Sequence, residues 1–144
     1  MMLEAAFMFD YVGNVMKWHL PPGRSSGYIP DTVSLWEFLR DNRDTVKGVA
    51  HLHPWDGPAA PSHVDLTTFF ALDNGLGKNH FWPIFTFTSG VYLIKVEKAE
   101  GGGTFYPVIG DENAVVGFYK EVIPMATPSQ ETIDKLREIG RKGL

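Results

Sequence analysis

Val46-Lys47-Gly48-Val49-Ala50-His51-Leu52-His53-Pro54, followed after a spacer by Ser62-His63-Val64-Asp65, is the stretch on which the reading of this chain turns. Val46–His53 has the apolar, β-branched character of a strand, and Pro54 ends it because proline brings no N–H to a ladder. Residues two apart in a strand share a face, so His51 and His53 point the same way at its end. Trp55–Pro61 is turn-rich. Ser62 fits an N-cap, opening a helix to about Asn74 that Gly75 closes, with Leu66, Phe69 and Phe70 on one face. Asp65 falls in the first turn of that helix. A strand end and a helix start joined by a short loop bring two imidazoles and a carboxylate together. Two histidines and a carboxylate, with water in the fourth position, are a standard layout for catalytic zinc.

Working outward, Ala5–Tyr11 and Val15–Leu20 read as strands and Pro21–Gly27 as a loop. Asp31 or Thr32 caps a helix through about Asn42, with Val33, Trp36 and Leu39 spaced along one face. Ile84–Thr88 and Val91–Glu97 flank Ser89-Gly90, a two-residue hairpin signal. Gly101-Gly102-Gly103 reads as a turn, and Phe105–Ile109 and Ala114–Ile123 as strands. Thr127 as N-cap, Pro128 in the first turn and Gln130 as capping-box partner open a last, charged helix. Glu131–Lys135 and Glu138–Lys142 are spaced there for ion pairs, and Ile133, Leu136 and Ile139 form a thin apolar stripe. Residues 1–126 are therefore expected to form one domain. Residues 127–144 are expected to be a helical appendage that docks on it or on a partner. Strands alternating with helices predict an α/β (α+β) fold, a central mixed sheet flanked by helices.

Composition narrows the function classes. The 144 residues suit a single domain, and 44% hydrophobic with 13% aromatic content supports a packed core. No cysteine is present, which excludes disulfides, iron–sulfur clusters and thiol catalysis. Thirteen basic against seventeen acidic residues, net −4, make a poor footprint for nucleic acid. No apolar run approaches a membrane span. Met1-Met2-Leu3-Glu4 lacks the basic start of a signal peptide, so a cytoplasmic location is expected.

His51-Leu52-His53-Pro54 with Ser62-x-x-Asp65 resembles the signature of the JAMM (JAB, MPN-plus) metalloprotease family. The resemblance covers roughly Glu4 to Val96. It implies a JAB/MPN-like domain in which His51, His53 and Asp65 bind Zn²⁺ and Ser62 assists the oxyanion. The family's upstream glutamate corresponds to Glu4, which the resemblance makes the general base. It further implies hydrolysis of a peptide or isopeptide bond in a peptide or small protein, ubiquitin-like substrates included. The family also contains metal-free scaffold members; for such a protein the C-terminal helix would be the docking element. Three departures stand out. The spacer Pro54–Pro61 is one residue longer than usual, Leu52 stands where serine or threonine is common, and Glu4 is nearly the first residue, where the family usually places a helix before it.

Plainer readings stand beside these. Ser62 and Asp65 also match a capping box. His63 offers an alternative third ligand, although a helix N-terminus suits Asp better than a cation. Asp56 fits a turn beside Gly57, Glu37 a solvated charge, and His19 and His80 structural or exposed positions. Trp18 and Trp82 fit core roles. Trp55, adjoining the metal candidates, is a candidate substrate contact.

Overall fold

The computed structural model describes residues 1–97, 103–107, 109–110, 113–116, 121–124 and 127–144. In chain order the elements are β1 (Ala5–Asp10), β2 (Val15–His19), α1 (Val33–Asp41), β3 (Val46–Leu52), α2 (His63–Leu76), β4 (Ile84–Phe85) and β5 (Gly90–Val91). There follow β6 (Leu93–Glu97), β7 (Gly103–Pro107), β8 (Ile109–Gly110), β9 (Asn113–Val116), β10 (Glu121–Pro124) and α3 (Gln130–Lys142). The fold is mixed α/β, as expected. A five-stranded sheet runs β2-β1-β3-β4-β5. Its pairs are antiparallel except β3–β4, which is parallel and is bridged by the crossover helix α2. β6 pairs with β7, and β8, β9 and β10 form a small antiparallel sheet.

Strand alternation divides the core in two. Ala5, Phe7 and Phe9 of β1, with Ala50 and Leu52 of β3, pack against Ile133, Leu136 and Ile139 of α3. Ala6 and Met8, with Val46 and Val49, pack against Leu35 and Leu39 of α1 and Phe69 and Leu72 of α2. The period of two thus assigns Ala5–Phe9 of β1 and Val49–Leu52 of β3 to one helical layer or the other; Val46 falls out of that alternation at the register shift between Phe9 and Asp10. His51 falls on the α1/α2 side. The C-terminal helix docks on the domain, completing one of its two hydrophobic layers. Gly140 lets it come close, since a Cβ there would overlap Leu52 Cδ2.

Several boundaries differ from expectation. The buried face of α1 is Leu35 and Leu39, while Val33 is exposed, because the helix rests on Met8 and Val49 at i, i+4 spacing. Gly75 lies inside α2; the helix ends at Gly77, whose φ of 63° is the left-handed cap conformation. The expected two-residue hairpin is wider: β4 and β5 are joined by Thr86–Ser89, and Tyr92 separates β5 from β6. Thr86 Oγ1 accepts the N–H of Ser89 at 2.9 Å, which closes that wider loop. Gly103 begins β7, which ends at Pro107; Ile109 belongs to β8. Gly101, Gly102 and residues 117–120, within the expected turn and strand, lie outside the described residues. The N-cap of α3 is Ser129, not Thr127: its Oγ accepts the N–H of Thr132 at 3.2 Å.

A buried polar cluster fixes the crossover from α2 into β4. Asp73 Oδ1 accepts His80 Nδ1 at 2.8 Å, the backbone N–H of His80 at 3.2 Å and Trp82 Nε1 at 3.2 Å. His80 and Trp82 therefore have the structural and core roles expected of them. Among the described residues, no helix is long and apolar enough to cross a membrane.

Candidate metal centre

Three elements deliver the site. β3 carries His51 and ends just before His53, both on the α1/α2 side. α2 starts at Ser62 and offers Asp65 from its first turn. Register supplies the fourth group: Ala6 pairs with His51 and Ala5 with Leu52, so the next step along the antiparallel pair brings Glu4 level with His53. Glu4, His51 and His53 are 3–4% exposed. Residues of this polarity are rarely buried so deeply unless paired or ligating.

The contacts converge on one point. His51 Nε2 lies 3.0 Å from His53 Nε2 and 3.4 Å from Asp65 Oδ1, and His53 Nε2 lies 2.9 Å from Asp65 Oδ2. Glu4 Oε1 stands further off, 4.0 Å from His51 Nε2. An imidazole Nε2 presents either one N–H or one lone pair in its ring plane. His53 Nε2 therefore cannot satisfy His51 and Asp65 together by hydrogen bonding. A cation among the three satisfies all of them with lone pairs. Ligands of a tetrahedral site with bonds of about 2.0–2.1 Å stand about 3.3 Å apart, close to these spacings. The four side chains could hold a metal ion: one ligand atom from each falls within 4.8 Å of the others.

Asp65 belongs to two structures at once. Its backbone N–H donates to Ser62 Oγ at 3.0 Å, and its Oδ2 accepts the N–H of Ser62 at 2.8 Å, a complete capping box. Burial alone would raise the Asp65 carboxyl. The contacts with His51 and His53 and the Ser62 N–H outweigh it and hold the group well below the usual carboxylate range. Glu4 has the opposite environment. Burial, reinforced by the charge of Asp65, pushes it up to about 8.

A cleft enclosing about 50 Å³ opens beside this cluster. Tyr28, Ile29 and Pro30 form one wall, and Val64, Thr68 and Phe69 of α2 form the other. Its acidic lining residues are Glu4, Asp31 and Asp65, and among the described residues no lysine or arginine lines it. Trp55 is 44% exposed and stacks on the His53 ring, centroids 4.6 Å apart.

The structure brings together Glu4, His51, His53 and Asp65 and sets Ser62 on the cleft. His63 and Asp56 are exposed and stand outside the cluster. His19 does more than fill a core position: its Nε2 donates to Pro30 O at 2.7 Å and pins the cleft wall. The loop Pro21–Tyr28, the expected place for substrate-side variation, does reach the cleft through Tyr28; the bonds of His19 to Pro30 O and of Arg24 to Glu4 O carried no sequence signal, because both are made to main-chain carbonyls. No family model matches the sequence, and no curated protein matches it.

Proposed function

We propose that the protein is a zinc-dependent peptidase or isopeptidase of the JAMM type. The observation that carries the reading is the convergence of His51, His53 and Asp65 within 3.4 Å, with Glu4 held just beyond. Two imidazoles and a carboxylate suit zinc, and their coming from a strand end and a helix cap matches the signature seen in the sequence. Zinc at such a site acts as a Lewis acid that brings the pKa of water towards neutrality and polarises a carbonyl.

The remaining work falls to side chains. Glu4, buried 4.0 Å from His51 Nε2, is placed to take a proton from water and return it to a leaving amine. Ser62 Oγ accepts one backbone N–H and keeps its own proton to donate into the cleft, where an oxyanion would form. Asp65 stays ionised throughout. Substrate class follows from charge. Among the described residues the charged side chains lining the cleft are carboxylates, with no lysine or arginine beside them, which favours a neutral amide over a phosphate ester. Tyr28, Ile29 and Val64 offer apolar contact to residues beside the bond, and the exposed Trp55 face offers a stacking surface.

The test is hydrolysis of fluorogenic peptides and of isopeptide-linked ubiquitin-like conjugates by the zinc-loaded protein. Activity that disappears in His53→Ala, with circular dichroism unchanged, supports the reading. A zinc-loaded protein that cleaves none of these, or a His53→Ala variant that cleaves them equally well, overturns it.

A further inference from the structure

Glu4 stands one residue before β1, where a chain end ordinarily frays, yet it is 3% exposed. Its backbone is held on both sides. The Glu4 N–H donates to Ser25 O at 2.8 Å, and Arg24 Nη1 donates to Glu4 O at 3.0 Å. One residue earlier, the Leu3 N–H donates to Gly140 O of α3 at 2.9 Å. Arg24 Nη2 completes the connection by donating to Leu144 O, just beyond the α3 cap Gly143. A single guanidinium therefore ties together the loop after β2, the segment carrying Glu4 and the end of α3. The planar fork suits this, since its two terminal nitrogens reach two carbonyls from a fixed geometry.

Two further observations show that the arrangement is held against cost. Arg24 Nε is buried without a hydrogen-bond partner among the described residues. A Cβ at Gly140 would crowd Leu3 O, and one at Gly143 would overlap Met1 O, so α3 lies against the N-terminal segment too closely for side chains.

We infer that Arg24 is a positioning residue for Glu4, clamping the segment that carries it between the loop and α3; this rests on the reading of Glu4 as the proton acceptor. The α3 helix is then part of the catalytic apparatus, although no α3 side chain lines the cleft. Arg24 touches none of His51, His53 or Asp65, so with Glu4 as the proton acceptor and not a ligand, the clamp governs the placement of Glu4 and leaves the three ligands of the proposed site in place.

The experiment compares wild type with Arg24→Met, which keeps the aliphatic stem and removes the donors, and with Arg24→Lys. Amide hydrogen exchange at Leu3 and Glu4 is read on the metal-free proteins by NMR. Cobalt binding and peptide hydrolysis are read on the loaded ones. In folded Arg24→Met, exchange at both amides is expected to quicken about tenfold or more, as for local opening of a terminal segment. Cobalt affinity should hold, and kcat should drop about 100-fold at unchanged KM, the scale of a displaced catalytic group. Arg24→Lys, whose ammonium reaches one carbonyl at a time, should recover part of both losses. Wild-type exchange at Glu4 or wild-type kcat in Arg24→Met overturns the assignment. Should Arg24→Met not fold, Arg24→Lys decides: intermediate exchange supports the clamp and wild-type exchange overturns it. A wild-type protein that takes no cobalt and cleaves no peptide defeats the hydrolase reading, while the exchange data still settle whether Arg24 holds Glu4.

Discussion

His53 Nε2 and Asp65 Oδ2 lie 2.9 Å apart, and the same carboxylate oxygen accepts the Ser62 N–H at 2.8 Å. One atom closes the helix cap and faces the His51–His53 pair. The cap therefore fixes the candidate ligand: the first turn of α2 cannot shift without moving Asp65 away from His53.

Cap and ligand roles can be separated by substitution. Ser62→Ala removes the acceptor for the Asp65 N–H and should cost about 1 kcal/mol, the usual worth of an N-cap, with metal stoichiometry intact. Asp65→Asn keeps an oxygen for the Ser62 N–H but loses the charge, so stability should change little while metal affinity collapses. Urea denaturation and elemental analysis read the two effects. Full metal content in Asp65→Asn would remove Asp65 from the ligand set.

Metal should stabilise the fold by mass action. At free zinc about 100 times Kd the gain is about 2.7 kcal/mol, visible as a higher Tm that a chelator reverses. His51→Ala and His53→Ala should have lost the zinc-dependent rise, because each removes one of three converging donors. An equal rise in wild type and both variants would place the ion elsewhere.

His19 predicts a pH dependence. Burial is the main influence and pushes its pKa below the ordinary 6.5, against the opposing bond to Pro30 O. The folded state thus binds fewer protons than the unfolded chain in that window. The stability His19 contributes is fully present above pH 6.5 and is lost as pH falls through the lowered folded value. His19→Gln keeps a neutral donor for Pro30 O and should flatten the acid side of the metal-free profile, as measured by urea midpoints between pH 5 and pH 7, a range set about the imidazole value. Superimposable profiles would show that His19 does not titrate there.

Much of the site was legible because its chemistry is local. His51 and His53 share a face by the period of a strand, and Ser62 and Asp65 are joined by the spacing of a helix cap. Nothing near Glu4 in the sequence marks it, and it entered only through a resemblance; the β1–β3 register that brings it level with His53 is a tertiary fact. The misplaced helix ends have a common cause. Gly75 and Gly77 are both acceptable stops for α2, and Thr127 and Ser129 both acceptable starts for α3. The choice is made by packing: Leu72 and Asp73 must be buried on one helix, and Ile133 and Ile139 must meet the sheet on the other. The Arg24 bridge was invisible because its acceptors are backbone carbonyls 20 and 120 residues away.

The role of α3 can be tested through its buried stripe. Leu136 is 0% exposed and packs with Phe7, Leu52 and Phe85. Leu136→Ala should therefore cost about 2–5 kcal/mol, the range for a core leucine. Glu131, on the exposed side of the same helix, should tolerate alanine within about 0.5 kcal/mol. A helix held only by an external partner would show the reverse in the isolated protein, with little cost at Leu136. Urea denaturation of the two variants distinguishes the cases. A large loss at Leu136 alone means that α3 is held by the core of the domain itself, the same helix to whose Gly140 O the Leu3 N–H is bound.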